Sequence, residues 1–335
     1  MCSMACDKHG ALSKMRDISL ADRLSVYKEL IDKALAEFIM SLDSSKLYPQ
    51  LRHALLSPGK RLRPILVLLS AECAGGSVEQ VLQLALSVEL IHTATLVHDD
   101  IIDEDEVRRG LPTVHKLWSS EIAILTGDAL IALSIKLASS YGEEILRKTA
   151  ETALMLCEGE LIDISAGIKD VSEELYIDMV RRKSASLFKL AAEIGALAVK
   201  APQPLVHALG SFAEYYGVAY QIKDDLEDLV EKSSISKRGM PPLPLIALYN
   251  RGDDRLRRKV RDALSNDTSK DSLKELTKAV RAYGIDKYCL SKVEEYLWKA
   301  VESLKALGKR PHIECFYQMV KLVNPNFHSK LVTGN

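Results

Sequence analysis

Residues 77–105 read SVEQVLQLALSVELIHTATLVHDDIIDED, and from Leu82 to Val97 nearly every position is apolar, without the alternation of a half-buried strand. A helix that is apolar on all sides has to lie inside a bundle of other helices. Ser77, with Gln80 three residues on, reads as a capping box that starts this helix, and Gly110 and Pro112 stop it beyond Asp105. Working outward, residues 22–40 space their apolar positions three and four apart, with Pro49 and Pro58-Gly59 as breaks. A helix beginning near Lys60 then runs to Gly75-Gly76. Helical patterns cover about 119–140, 144–166, 173–200 and 205–232, and amphipathic segments continue past a Ser, Gly and Pro stretch at 233–244 to about Val323. Leu and Ala recur while aromatics make up only 6%, which favours helices over a β-sandwich. With no strand alternation, long linker or exact repeat, the expectation is one all-α domain over 1–335, with 1–20 as a flexible N-terminal segment.

The 45 basic and 46 acidic side chains leave a formal charge of −1. No electrostatic footprint for nucleic acid or an anionic membrane follows from that balance, so charge-driven binding has to be local. The six cysteines show no CxxC and no disulfide framework. Cys2, Cys6 and His9 read as incidental groups on a loose terminus. No uninterrupted apolar run reaches the roughly 18–20 residues of a membrane span, and the N-terminus lacks a signal-peptide core. A soluble, cytoplasmic protein with reduced thiols is expected.

The end of the quoted helix poses a charge problem. Asp99, Asp100, Asp103, Glu104, Asp105 and Glu106 fall within eight positions, flush against an apolar run. Carboxylates so crowded push one another toward protonation unless a cation sits between them, although a solvated acidic helix face is the alternative. A second cluster, GVAYQIKDDLEDLVEK, repeats the pattern with Asp224, Asp225 and Asp228. On helices, Asp99/Asp103 and Asp224/Asp228 would each present a two-carboxylate edge. Facing one another, they would suit Mg²⁺ or Mn²⁺, hard ions that take one or two carboxylates and complete their shell with phosphate oxygens. Cations group too: Lys60, Arg61 and Arg63 at a helix start, Arg108 and Arg109 after the first acidic cluster, and Lys183 in RRKSASLF.

Together, GKRLRP, HTATLVHDDIID followed by RRG, KSA, and QIKDDLED resemble the signatures of the trans-isoprenyl (polyprenyl) diphosphate synthases, in family order over about residues 57–246. The resemblance implies the isoprenoid-synthase helical bundle around a deep central cavity, as a homodimer. It also implies a reaction in which isopentenyl diphosphate is joined to an allylic diphosphate after metal-assisted ionisation. Asp99, Asp103, Asp224 and, by extension, Asp100, Asp225 and Asp228 would hold Mg²⁺ on the allylic diphosphate. Lys60, Arg63, His92 and Arg109 would hold isopentenyl diphosphate, and Arg108, Lys183, Ser184 and Gln221 would contact the allylic diphosphate. The small Ala94 and Thr95, one turn before Asp99, imply an open floor and a product of C20 or longer.

The sequence also departs from the family. Met240 stands where a lysine is expected, Pro242 replaces a threonine, and Glu160 stands where many members carry glutamine. Lys232, Lys237 or Arg238 would then have to supply the missing cation. Two alternatives stay open: a class I terpene cyclase, which GKRLRP and the Asp-rich second motif argue against, and a non-catalytic regulatory subunit of a heteromeric synthase, which both intact motifs argue against.

Overall fold

The computed structural model describes residues 20–167, 172–231, 239–264, 270–308 and 310–327. The expected flexible segment 1–20, apart from Leu20, lies outside them, as do Lys232, Lys237 and Arg238. In chain order the helices are α1 (Leu20–Met40), α2 (Tyr48–Leu55), α3 (Leu62–Cys73), α4 (Val78–Ile102), the single turn α5 (Val114–Leu117), α6 (Ser120–Ala138), α7 (Glu143–Ser165) and α8 (Glu173–Val180). A π-helical turn, Arg181–Ala185, leads into α9 (Ser186–Ala198). Then come α10 (Gln203–Val230), α11 (Leu243–Arg251), α12 (Asp254–Leu264), α13 (Lys270–Ala282), α14 (Ile285–Leu304) and α15 (Ile313–Val323).

Helix α4 is the central rod. Gln80 Oε1 accepts the Ser77 N–H at 2.8 Å to fix its start, and Leu84, Ala85, Leu86, Val88 and Leu90 have no exposed surface on any side. It packs on α3 and α6, while α9 is wedged between α3 and α10, and α10 lies along α14. Burying each such leucine contributes about 1.5–3 kcal/mol, so these shared faces dominate the fold's stability. Fully buried Phe212, Tyr216 and Phe316 tie α10 to the C-terminal helix α15.

Three boundaries differ from the sequence reading. Helix α4 ends at Ile102, three residues before Asp105, because Asp103 takes the cap position and Glu104 turns left-handed at φ 58°. A two-residue hairpin follows, Val107–Arg108 pairing with Leu111–Pro112, where no strand was expected. Its turn places Arg109 and Gly110 at φ 53° and 80°, the left-handed pair that a tight hairpin requires. Finally, α3 begins at Leu62 with Arg61 as a left-handed cap, so Lys60 stands just outside the helix.

Two helices among the described residues are long and apolar enough, by length and composition alone, to cross a membrane. In α4, 67% of the apolar window is buried in the bundle, so it is a core helix. For Ser120–Tyr141 the share is 33%, and its outer face exposes Ile124, Leu125 and Ile135.

Candidate active site

Helices α4, α6, α7 and α10, with the π-helical turn, enclose a cavity of about 780 Å³. From α4 it takes Ile91, Thr95, Asp99 and Asp103, successive positions four apart and therefore one stripe of one helix face. From α10 it takes Gln221, Asp224 and Asp228. The two acidic motifs thus open into one space, with Arg63, Arg108, Arg109 and Lys183 among them. The wall away from the charges is apolar, with Ile131 of α6 and Leu156, Leu161 and Ile164 of α7.

Two of the acids in this space are held above the ordinary carboxylate range. Burial, reinforced by Glu160 and Asp103, pushes Asp99 up to about 7. Asp103 is pushed up to about 6 by burial and by repulsion from Asp105, Glu160 and Asp163. Lys183 is the local counterweight. Its ammonium donates to Asp163 Oδ2 at 2.6 Å and approaches Glu160 Oε2 at 2.5 Å, and these charges with Asp99 outweigh desolvation and raise its pKa. The π-helical turn aims Lys183 and Ser184 into the cavity, and Gly159 of α7 allows it: a Cβ there would meet the Lys183 backbone N at 2.4 Å. Ser184 Oγ donates to Gln221 Oε1 at 2.9 Å.

Next to it lies a basic cavity of about 400 Å³, lined by Lys60, Arg61, Arg63, His92 and Arg109 with Glu89 as its one acid. Arg61 is structural there. It is buried and bound to Asp32 at 2.8 Å, to Glu89 at 2.5 Å and to the carbonyl oxygens of Leu55 and Ser57. Arg63 stacks on the Phe188 ring at 4.3 Å and lies 3.2 Å from His92 Nε2, while its buried Nε has no hydrogen-bond partner. Burial lowers Arg63 to about 10 and, together with the four nearby arginines, holds His92 well below the ordinary histidine range. His92 is therefore neutral here. Lys60 donates to Tyr220 Oη at 3.1 Å, and Tyr220 lines both cavities.

Three of the expected site residues, two metal ligands and one floor residue, are off the cavity wall. Asp100 is 4% exposed, off the cavity wall and ion-paired with Arg108, because one step along a helix turns its side chain about 100° from Asp99. Asp225 is turned likewise, off the cavity wall: it accepts the Tyr176 hydroxyl at 2.6 Å and Gln221 Nε2 at 2.8 Å and so supports Gln221. Ala94 is fully buried and off the cavity wall, so only Thr95 of the proposed floor pair faces the substrate space, with Ile91 a turn below. Sequence reasoning did not single out Tyr220, Tyr176 or Ile91; Tyr220 lies four residues before Asp224 and Ile91 eight before Asp99, while no spacing along the chain marked Tyr176. Met240, expected to be a lysine, is 6% exposed and packed in the core.

Comparison with known proteins decides between the readings. A family profile described as Polyprenyl synthetase matches residues 44–280. The chain belongs to the polyprenyl synthetase family. This synthase is 33% identical over 297 residues to a geranylgeranyl pyrophosphate synthase of Geoglobus acetivorans, covering 84% of this chain and 92% of that protein. It is also 33% identical over 298 residues to a heptaprenyl diphosphate synthase component 2 of Geobacillus stearothermophilus, covering 86% and 91%. Among solved structures it resembles a Caulobacter crescentus polyprenyl synthase complexed with calcium and isoprenyl diphosphate, with a TM-score of 0.81, 25% identity and coverage of 91% and 97%. The fold is all-α, as expected, and the synthase is a trans-prenyltransferase.

Proposed function

We propose that the acidic cavity ionises an allylic diphosphate while the basic cavity beside it holds isopentenyl diphosphate. The observation that carries this reading is the placing of charge across two adjoining spaces: Asp99, Asp103, Asp224 and Asp228 line only the larger one, Lys60 lines only the smaller, and Arg63, His92 and Arg109 stand on the wall they share. The product is a trans-polyprenyl diphosphate of C20 or longer. A terpene cyclase has no use for the basic cavity.

The donor set fits Mg²⁺ or Mn²⁺. It consists of hard carboxylate oxygens, and no three such groups among the described residues stand close enough to hold an ion alone, so diphosphate oxygens would complete the shell. Bound there by Asp99, Asp103, Asp224 and Asp228, the ion supplies Lewis-acid neutralisation of the leaving diphosphate. Lys183, Ser184, Gln221 and Arg108 orient the allylic diphosphate from the cavity wall. Neutral His92 donates or accepts a hydrogen bond beside Arg63, whose unpartnered Nε faces the need of an anion. The apolar wall of Ile131 and buried Leu156 keeps water from the carbocation. Proton loss is assigned to the departing diphosphate, which carries basic oxygens of its own.

We assign the synthase to the cytoplasm as a homodimer. The four described cysteines are all free, which suits a reducing compartment. The apolar outer face of α6 and α7, with Ile124, Leu125, Leu154, Leu161 and Ile164 exposed, is what a second copy would cover.

The test is steady-state kinetics with both substrates. Chelation should abolish condensation. Lys60→Ala and Arg63→Ala should raise the KM for isopentenyl diphosphate by about tenfold, the weight of one charge-assisted contact, and leave that for the allylic substrate within about twofold. Equal changes in both constants contradict the assignment of the two cavities.

A further inference from the structure

Asp163 has no part in the reading above, yet it holds two elements of the site at once. It sits near the end of α7. Its Oδ2 accepts the Lys183 ammonium at 2.6 Å, and its Oδ1 accepts the backbone N–H of Met240 at 2.6 Å. Gly239, at φ 83°, is pressed so close that a Cβ would stand 2.5 Å from Oδ1. A left-handed residue with no room for a side chain leaves glycine as the fitting choice and turns the next N–H onto the carboxylate. Met240 contributes its backbone to this contact, while its side chain is buried in the core that α11 begins to build. Glu160 shares Lys183 but makes no described contact with Met240.

We infer that Asp163 is a positioning residue: one carboxylate fixes the Lys183 ammonium with one oxygen and fastens the start of the Met240–α11 segment with the other. It touches no substrate. The tether is made by the main chain, so it does not depend on the side chain at position 240, and the aim of Lys183 depends on it. The inference rests on Lys183 contacting the allylic diphosphate.

The two oxygens can be separated by substitution. In Asp163→Asn the amide oxygen still accepts the Met240 N–H, but the charge on Lys183 is lost; in Asp163→Ala both contacts go. With Mg²⁺ and both substrates, Asp163→Asn should raise the KM for the allylic diphosphate about tenfold, leaving that for isopentenyl diphosphate within about twofold. Asp163→Ala should show the same KM change and a further fall in kcat. Amide hydrogen exchange of the peptide containing Met240 should be as slow in Asp163→Asn as in the wild type and faster in Asp163→Ala, with thermal melting confirming that each variant folds. Lys183→Ala runs beside them. If it alters the allylic KM while Asp163→Asn does not, or if Asn and Ala are indistinguishable in both readouts, the positioning role is wrong. A Lys183→Ala change that leaves the allylic KM alone overturns the reading of Lys183 and the inference with it.

Discussion

Asp99 shows what a single side chain does to stability when it is kept for a ligand. Its pKa is pushed up to about 7, chiefly by burial, against an ordinary value of 3.8. In the fold it therefore binds its proton at a pH where the unfolded chain has released it, and stability falls as pH rises from about 4 to about 7. Above that window the penalty is complete. Metal-free Asp99→Asn should then be more stable than the wild type at pH 8, by at least about 1 kcal/mol, and the gain should vanish near pH 4. Thermal melts in chelator at the two pH values check this; a variant less stable at pH 8 contradicts it. Burial raises Asp100 and Asp225 as well, Asp225 to about 7, and their carboxylates are held by Arg108 in one case and by Tyr176 with Gln221 in the other.

At the scale of the element, α4 carries function on one stripe and core on the rest. Ile91, Thr95 and Asp99 share the stripe, whereas Ala94 is packed away with no exposed surface. On the proposed reading, a prenyl chain growing from Asp99 down this face would meet Thr95 first and Ile91 next, about 6 and 12 Å along at 1.5 Å per residue. Thr95→Phe should shorten the product, as read by chromatography of chains grown from farnesyl diphosphate; an unchanged distribution would remove Thr95 from the floor. Ala94→Phe should instead cost about 1–3 kcal/mol or more of stability through overpacking, measured by denaturant unfolding. The π-helical turn Arg181–Ala185 packs on Gly159 of α7 and carries Lys183 and Ser184, both of which line the cavity.

At the scale of the whole molecule, the faces not needed for the core show what the bundle leaves for association. The buried window of α4 and the exposed one of Ser120–Tyr141 have similar hydropathy, 1.3 and 1.7, but opposite surroundings. Leu125→Glu on the exposed face should convert a dimer to monomer in sedimentation, with secondary structure by circular dichroism unchanged. If the wild type is already monomeric, the face has another purpose. Leu161 and Ile164 line the cavity and are also more than half or half exposed, so a copy docked on α7 would close part of the substrate wall.

The all-α class, the central position of α4, the two aspartate motifs and the basic residues were legible in the sequence, because helical period and local charge density depend only on neighbours along the chain. Which member of each Asp-Asp pair serves the cavity was not, since adjacent helical residues differ by about 100° in direction and only the packing of neighbouring helices says which direction is inward. The same holds for Ala94 against Thr95. The roles of Asp163, Tyr176 and Tyr220 were also hidden, because each depends on a partner far along the chain: Met240, Asp225 and Lys60 respectively. Residue types and periods along one chain determined the fold class and the chemistry available to it; only tertiary packing, by choosing which face of each helix meets the cavity, decided which side chains perform that chemistry.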